Sequence, residues 1–191
     1  MDSKTKSGEL PFFITRYKDN WGTRKFESGK MLLTAGDIAT NIFYVESGLL
    51  RVFFYNPKTR KESTFAFFSA NSTLIPFRSF LMEKKPVNVN VEVIESSVIH
   101  SINLDFWQEM EKQDQELEKF RVALMGAVFD QMLERTSNIG CLTATEHYRI
   151  LLNQYDYIGD IKNEHVASYL GIDETHLSKI KAKIKPKTTT K

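Results

Sequence analysis

The stretch Asp114–Asn138, DQELEKFRVALMGAVFDQMLERTSN, decides how this chain is built. It carries two apolar stripes instead of one. Val122, Met125, Phe129 and Met132 repeat at steps of three, four and three, and Leu117, Phe120, Leu124 and Val128 at three, four and four. At about 100° per residue the two sets lie on different faces of one helix. A helix on the rim of a single core needs one apolar face, so the second face packs against another body. The heptad-like spacing makes a twin helix from a second copy the natural partner. A helix buried inside one domain is the plainer alternative. Spacing does not say which stripe forms a dimer seam, so all eight residues are candidates for it. Residues before this run read as β and those after it as short helices. The run is therefore expected to be a rod joining domains at residues 1–113 and 140–191, with the connector at 114–139.

A 191-residue chain with 41% hydrophobic and 12% aromatic residues buries a real core. The single Cys141 excludes an internal disulfide and a cysteine-based zinc site. No run reaches the roughly 18 unbroken apolar residues of a membrane span, and no apolar leader follows the first lysines. A cytoplasmic protein without a membrane partner is expected. The net charge of +2 is unevenly spread: residues 162–191 hold seven Lys against three Asp/Glu. A basic end on a slightly acidic body suits a polyanion partner, and equally a solvated lysine tail.

In chain order, residues 1–9 read as polar and frayed, and Phe12, Phe13, Tyr17 and Trp21 as a short helix lying across the next domain. Strand signals start at Phe26. Met31–Thr34 is a short strand after Gly29, and Ala35-Gly36-Asp37 a turn. Ile42–Glu46 and Leu49–Tyr55 read as two strands around a Ser47-Gly48 hairpin. Glu62–Phe68 follows the turn at residues 56–59. Val87–Ile94 alternates apolar and polar residues, and Ser97–Ile102 follows a Glu95-Ser96 turn. Leu74–Met82, with Pro76, suits a short flanking helix. Many short strands punctuated by glycines predict an α+β protein with an N-terminal antiparallel jelly-roll (double-stranded β-helix) barrel. Asp105–Met110 reads as a small helix. Ile139–Leu142 reads as a hinge at Gly140, and Thr143–Glu146 as a capping box opening the next helix. The terminal residues 185–191 read as disordered.

The sharpest functional signal is Asn163–Lys183. Asn163 is placed to cap a helix whose inward residues are Val166, Ala167 and Leu170. Gly171 supplies a left-handed turn, Ile172 plugs the corner, and Asp173 caps a second helix whose Leu177 and Ile180 point back at the first. This is a helix-turn-helix, an arrangement that some tight hairpins share without touching DNA. On double-stranded DNA, Glu174, Thr175, Ser178 and Lys179 would lie near base edges. His176, Lys181, Lys183 and the Asn163 end of the first helix would lie near phosphates. The four histidines make no metal-ligand spacing, and no nucleophile elbow or phosphate-cradling loop occurs. Neither an enzyme nor a metal or cofactor site is expected.

The order of barrel, rod and helix-turn-helix resembles the Crp/Fnr-type transcription regulators over nearly the whole chain. Three segments carry the resemblance most specifically: Gly29-Lys30-Met31-Leu32-Leu33-Thr34-Ala35-Gly36-Asp37, Phe43-Tyr44-Val45-Glu46-Ser47-Gly48, and Ala167-Ser168-Tyr169-Leu170-Gly171-Ile172. The resemblance implies a homodimer through the rod, an effector pocket between barrel and rod, and DNA-reading helices that ligand binding repositions. It also implies RNA polymerase as a further partner. The positions matching the family's phosphate-holding Gly-Glu and Arg-Ser pairs are Pro76-Phe77 and Val87-Asn88, which lack the cation and donors a cyclic phosphate needs. Arg78 with Ser79 is the nearby substitute. Binding of cyclic AMP by the usual route is therefore not expected, and an unknown small-molecule effector is left as the ligand. An iron–sulfur cluster needs several cysteines; haem ligation by a lone His100 or Cys141 stays open, and a structural role is the plainer reading of each. The family's β-hairpin wing is not evident after Ile184. The competing function is a small-molecule sensor that acts through a protein partner and not through DNA.

Overall fold

A computed structural model describes residues 10–81 and 85–184. The residues 1–9 and 185–191, read as frayed and disordered, lie outside the described residues, as does part of Leu74–Met82.

Six strands form one antiparallel sheet: β1 (Gly22–Phe26), β2 (Met31–Leu33), β3 (Asn41–Asn56), β4 (Lys61–Ser69), β5 (Ser72–Leu74) and β6 (Asn90–Asn103). Its order is β1-β6-β3-β4, with β2 also on β6 and β5 on β3. Two expected turns are absent. Ser47-Gly48 is no hairpin, because β3 runs through it as one 16-residue strand, and β6 likewise runs through Glu95-Ser96. The two strands pair from Asn41 to Phe53 of β3, Tyr44 with His100 and Val52 with Val91, and their register shifts between Val45 and Leu50. Gly48 lies within that shift. Its φ is +92°, and an added Cβ would lie 2.1 Å from Ser97 Oγ, so no side chain fits there. The strand β1 escaped the sequence reading because Gly22-Thr23-Arg24-Lys25-Phe26 is polar and mostly exposed.

Alternation along β3 divides the core in two. Ile42 and Tyr44 face a cluster with Phe13, Trp21, Trp107 and Leu117, whereas Phe43, Val45, Leu50 and Val52 face a second one with Val91 and Val93. The first cluster is closed by α1 (Phe12–Arg16), α3 (Leu104–Glu111) and the start of α4 (Gln115–Cys141). Asp114 begins α4 by accepting from Glu116 N–H, and Tyr17 and Arg16 each donate to its carboxylate at 2.7 Å. Those donors hold the Asp114 carboxyl down at about 2.

The rod is 27 residues long, about 40 Å of helix, and its two stripes have different fates. Leu117 is fully buried, Phe120 stacks 4.6 Å from Phe13, Leu124 packs on the same cluster, and Val128 lines a cavity of the sheet. Leu117 thus belongs to the protein's own core, and Phe120, Leu124 and Val128 are half-buried against it and the sheet. The other stripe is more open: Val122 is 57% and Phe129 60% exposed, Met132 is exposed although it also borders the sheet's cavity, Met125 is half-buried, and Leu133 and Ile139 extend the strip. Within the expected hinge Ile139–Leu142 the chain leaves the helix at Leu142 and not at Gly140. Helix α4 continues through Gly140 to Cys141, and the chain turns at Leu142, whose N–H bonds back to Asn138 O. Thr143 and Glu146 form the capping box immediately afterwards, so α5 (Ala144–Gln154) starts there and leaves the glycine no work.

After α5 come a 3-10 turn (Asp156–Gly159), α6 (Asn163–Leu170) and α7 (Glu174–Lys183). Their core of Leu151, Val166, Leu170, Leu177 and Ile180 also takes in Leu49 from the sheet.

Candidate functional site

Helices α6 and α7 meet as the sequence demands. Gly171 has φ +71°, its N–H reaches Ala167 and Ser168 carbonyls, and Ile172 N–H bonds to Ala167 O at 3.0 Å. Asp173 caps α7 by accepting from His176 N–H at 2.8 Å. Asn163 is not a cap: Lys162 occupies that position, without a side-chain bond, and Asn163 is the first helical residue, half-buried. With Leu177 and Ile180 buried, Glu174, Thr175, Ser178 and Lys179 share the exposed opposite side of α7, together with Ala182 and Lys183. His176 is exposed on the flank. Lys181 is drawn inward, its ammonium 6.0 Å from the Tyr148 ring centroid. The outcome is an exposed helix face with two free lysines, two hydroxyls and one carboxylate, backed by a rigid core. Such a face can donate and accept hydrogen bonds along a groove.

This helical unit sits on the edge of the sheet. Edge strand β4 presents unpaired backbone groups, and α6 satisfies two of them: Thr64 N–H donates to Ser168 Oγ at 2.8 Å, and Ser168 Oγ donates to Glu62 O at 3.0 Å. Two arginines, absent from the sequence reading, organise this junction. Arg51 is buried in β3, donating to Glu62 at 2.6 Å, Glu92 at 3.3 Å and Thr64 Oγ1 at 2.9 Å. A charge inside Leu49-Leu50-Arg51-Val52 was a visible signal of it. Arg135 of α4 donates to carbonyls of Thr64, Phe65 and Tyr169, and nothing in its sequence context marks it. His147 and His165 lie buried beside these arginines, and burial lowers the pKa of both.

A second feature lies across the sheet. A cavity of about 270 Å³ is lined by Val52, Phe65, Phe68, Leu74 and Val91, and is closed by Val128 and Met132 of the rod. Five of the six expected effector residues line it: Pro76, Phe77, Arg78, Val87 and Asn88. Pro76 and Phe77 lead into α2 (Phe77–Leu81). Ser79 does not line the cavity. It is buried, donates to Lys85 O at 2.8 Å and accepts from Ala39 N–H, so its hydroxyl is spent on the loop. A cyclic nucleotide would need a carboxylate for its ribose and a cradle of donors for its phosphate. Among the described lining residues there is no carboxylate, and Arg78 is the only cation. His100 is similarly occupied, with Thr23 Oγ1 2.9 Å from Nδ1 and Glu46 2.6 Å from Nε2. Among the described residues no three His, Cys, Asp or Glu side chains gather as a metal site, and no helix is long and apolar enough to cross a membrane.

Residues 23–114 match the family model of the cyclic nucleotide-binding domain. No curated protein sequence matches the chain. Among solved structures, the fold is similar to FixK2 from Bradyrhizobium japonicum, with a TM-score of 0.74 and 13% identity over 85% of this chain and 83% of that one. It is also similar to CLP, a c-di-GMP-responsive global regulator from Xanthomonas campestris, with a TM-score of 0.69 and 14% identity over 89% of each chain. A chain from Eubacterium rectale described as a transcriptional regulator of the Crp/Fnr family gives a TM-score of 0.71 and 18% identity over 90% of this chain and 82% of that one. At these identities the likeness is one of fold: a sheet domain of the cyclic nucleotide-binding kind, a long helix and a helical end, arranged as in the Crp/Fnr regulators.

Proposed function

We propose that this chain, with its cyclic nucleotide-binding-type domain and Crp/Fnr fold, is a dimeric, sequence-specific DNA-binding transcription regulator whose effector pocket has lost the phosphate-holding motif. The observation that carries the reading is the exposed side of α7. Glu174, Thr175, Ser178 and Lys179 are grouped opposite a fully buried Leu177, on a helix whose first turn is capped and whose last turn ends in Lys181 and Lys183. A base-reading helix needs this arrangement of short polar groups at its start and cations at its end.

The dimer follows from the rod. Val122 and Phe129 are seven residues apart, as are Met125, Met132 and Ile139 in turn, and the strip they make is largely uncovered in the single chain. Apolar residues at that spacing along a helix of this length are suited to pairing with a second copy. Two heads on one duplex compensate for the small footprint of each. The curled sheet is read as a jelly roll, with 1–113, 114–139 and 140–191 as its domain, connector and reading head.

Selection of bound sequences from random duplexes tests the proposal. A two-fold symmetric consensus with half-sites about one helical turn apart is expected. Recovery of no sequence above background at low salt would reject DNA reading, and an asymmetric single half-site would reject the dimer.

A further inference from the structure

We propose that the cavity closed by Val128 and Met132 binds an amphipathic carboxylate, with a medium-length apolar tail among the sheet's side chains and its head group on Arg78 and Asn88. Its consequence for DNA rests on the regulator reading above; the binding event does not.

The walls set the tail. Val52, Phe65, Phe68, Leu74 and Val91 present hydrocarbon from three strands and the β6 partner face, and the rod adds two more apolar side chains. Placing sugar hydroxyls or a purine's ring nitrogens against such walls would leave them without partners, which costs more than the contact returns. An aliphatic or aromatic body loses nothing there. The volume of about 270 Å³ lies just below the range of ordinary ligand pockets, roughly 300–1,000 Å³, so the tail is of medium length at most.

The rim sets the head. Arg78 lines the cavity, is exposed, and has no ion pair among the described residues. The exposed amide of Asn88 lines the same cavity, with Thr73 as a further polar group. A planar guanidinium and an amide donor on one cavity suit a carboxylate, which can accept from both. A neutral hydrocarbon would leave Arg78 unused, and a cation would meet like charge. The remaining wall explains why occupancy would matter: Val128 and Met132 lie on the same turns of α4 as the exposed Phe129 and Leu133. A tail pressed against Val128 and the adaptable Met132 bears on the helix proposed to join the two copies.

The test is calorimetric titration of the full chain with hexanoate, octanoate, decanoate and dodecanoate below their micelle concentrations, with 1-decanol, decyltrimethylammonium and cyclic AMP as controls. Affinity is expected to rise about fourfold per methylene, then level off when the cavity is full. Decanol and the ammonium should bind at least about tenfold more weakly than decanoate, and Arg78→Gln should weaken decanoate about tenfold. Val128→Trp, which fills the cavity from the rod, should abolish the dependence on tail length; thermal unfolding of each unliganded variant checks that it folds. Equal binding of decanol and decanoate, an Arg78→Gln variant indistinguishable from the parent, tighter binding of cyclic AMP, or no carboxylate binding at all would each overturn the proposal. Duplex binding measured by fluorescence anisotropy on the same samples separates the two readings. A chain that binds decanoate but no duplex rejects the regulator and keeps the ligand; the reverse result rejects the ligand alone.

Discussion

Arg135 grips Tyr169 twice: its guanidinium lies 4.5 Å over the ring centroid, and its Nη2 donates to the Tyr169 carbonyl at 3.1 Å. The same group donates to Thr64 O at 2.9 Å and Phe65 O at 3.0 Å. One side chain thus joins the rod, the edge strand and the first helix of the α6–α7 pair. It does so with no carboxylate partner among the described residues, and burial lowers its pKa. All of its compensation comes from carbonyl dipoles and ring faces. Two of those carbonyls belong to the sheet and one to α6, so any movement of α6 off β4 strips the cation of partners.

Arg135→Ala should therefore loosen the junction before it damages the sheet. Charge-assisted bonds contribute about 1.5–3 kcal/mol each, but burying the cation offsets much of that, and a net loss of about 2 kcal/mol is expected. For a chain of this size the unfolding midpoint should fall by about 4–8 °C. Arg135→Lys should recover less than half, because an ammonium cannot fork to three carbonyls. Hydrogen exchange is the sharper readout. The Thr64 amide, bonded to Ser168 Oγ, should exchange faster in the alanine variant while Val52 and Val91, paired at the centre of the sheet, do not. Unchanged exchange at Thr64 would show that Arg135 is not the fastener.

The two stripes of α4 make a second, paired prediction. Phe129→Glu places a charge on the exposed stripe and should leave the fold intact while lowering the mass measured by sedimentation equilibrium to that of one chain. Leu117→Glu places the same charge where exposure is 0% and should unfold the N-terminal cluster with Phe13 and Trp107, since an unpaired buried carboxylate costs several kcal/mol. If Phe129→Glu sediments as the parent does, the exposed stripe is not the seam.

How much of this was legible depended on whether a feature is local. The helix-turn-helix was readable because each of its devices acts within four residues: Asp173 caps its own helix, Gly171 turns its own chain, and Leu177 lies one turn from Ile180. The period of the rod was readable too, but its partners were not. Both stripes are equally apolar, and only the sheet's position assigns Leu117 inward and Phe129 outward. Glycine turns were over-read for the same reason. Ser47-Gly48 has a hairpin's composition, yet β6 pairs with β3 on both sides of it, so the glycine serves close approach to Ser97 and not chain reversal. In the pocket, Pro76, Phe77, Val87 and Asn88 were found through the family pattern. The aromatic wall from β4 was not, because strand pairing, and not a local motif, turns Phe65 and Phe68 toward it.

The two junction histidines give stability a defined pH dependence. Burial first, then the charge of Arg135, lowers the pKa of His147; burial first, then Arg51, lowers that of His165. Glu134 opposes the shift at His147, and Glu164 and Glu92 oppose it at His165. Between the depressed folded value and the ordinary value of 6.5, the unfolded chain binds more protons, so stability rises with pH across that window. The contribution is complete above about pH 6.5 and is lost as pH falls through the folded values. Scanning calorimetry between about pH 5.5 and 7.5, above the range where carboxylates titrate, should show a falling midpoint toward acid. The double variant His147→Gln, His165→Gln should flatten it. A slope retained in the double variant would assign the effect elsewhere.

The last prediction separates reading from holding on α7. Thr175 and Lys179 lie on the middle of the exposed side, one turn apart, while Lys183 ends the helix. A residue on a base edge discriminates between sequences, whereas one on a phosphate adds the same affinity to all of them and releases counterions as it binds. Lys183→Ala should weaken every duplex about equally and reduce the slope of log affinity against log salt by about one. Lys179→Ala, if that side chain meets a guanine edge, should cost about 1–3 kcal/mol on the selected site and much less on random duplex. All of these residues are exposed and away from the α6 contact, so stability should be unchanged and the parent's unfolding midpoint serves as the control. Should both substitutions leave binding and its salt slope untouched, α7 is not in a groove, and a partner protein becomes the occupant of that face.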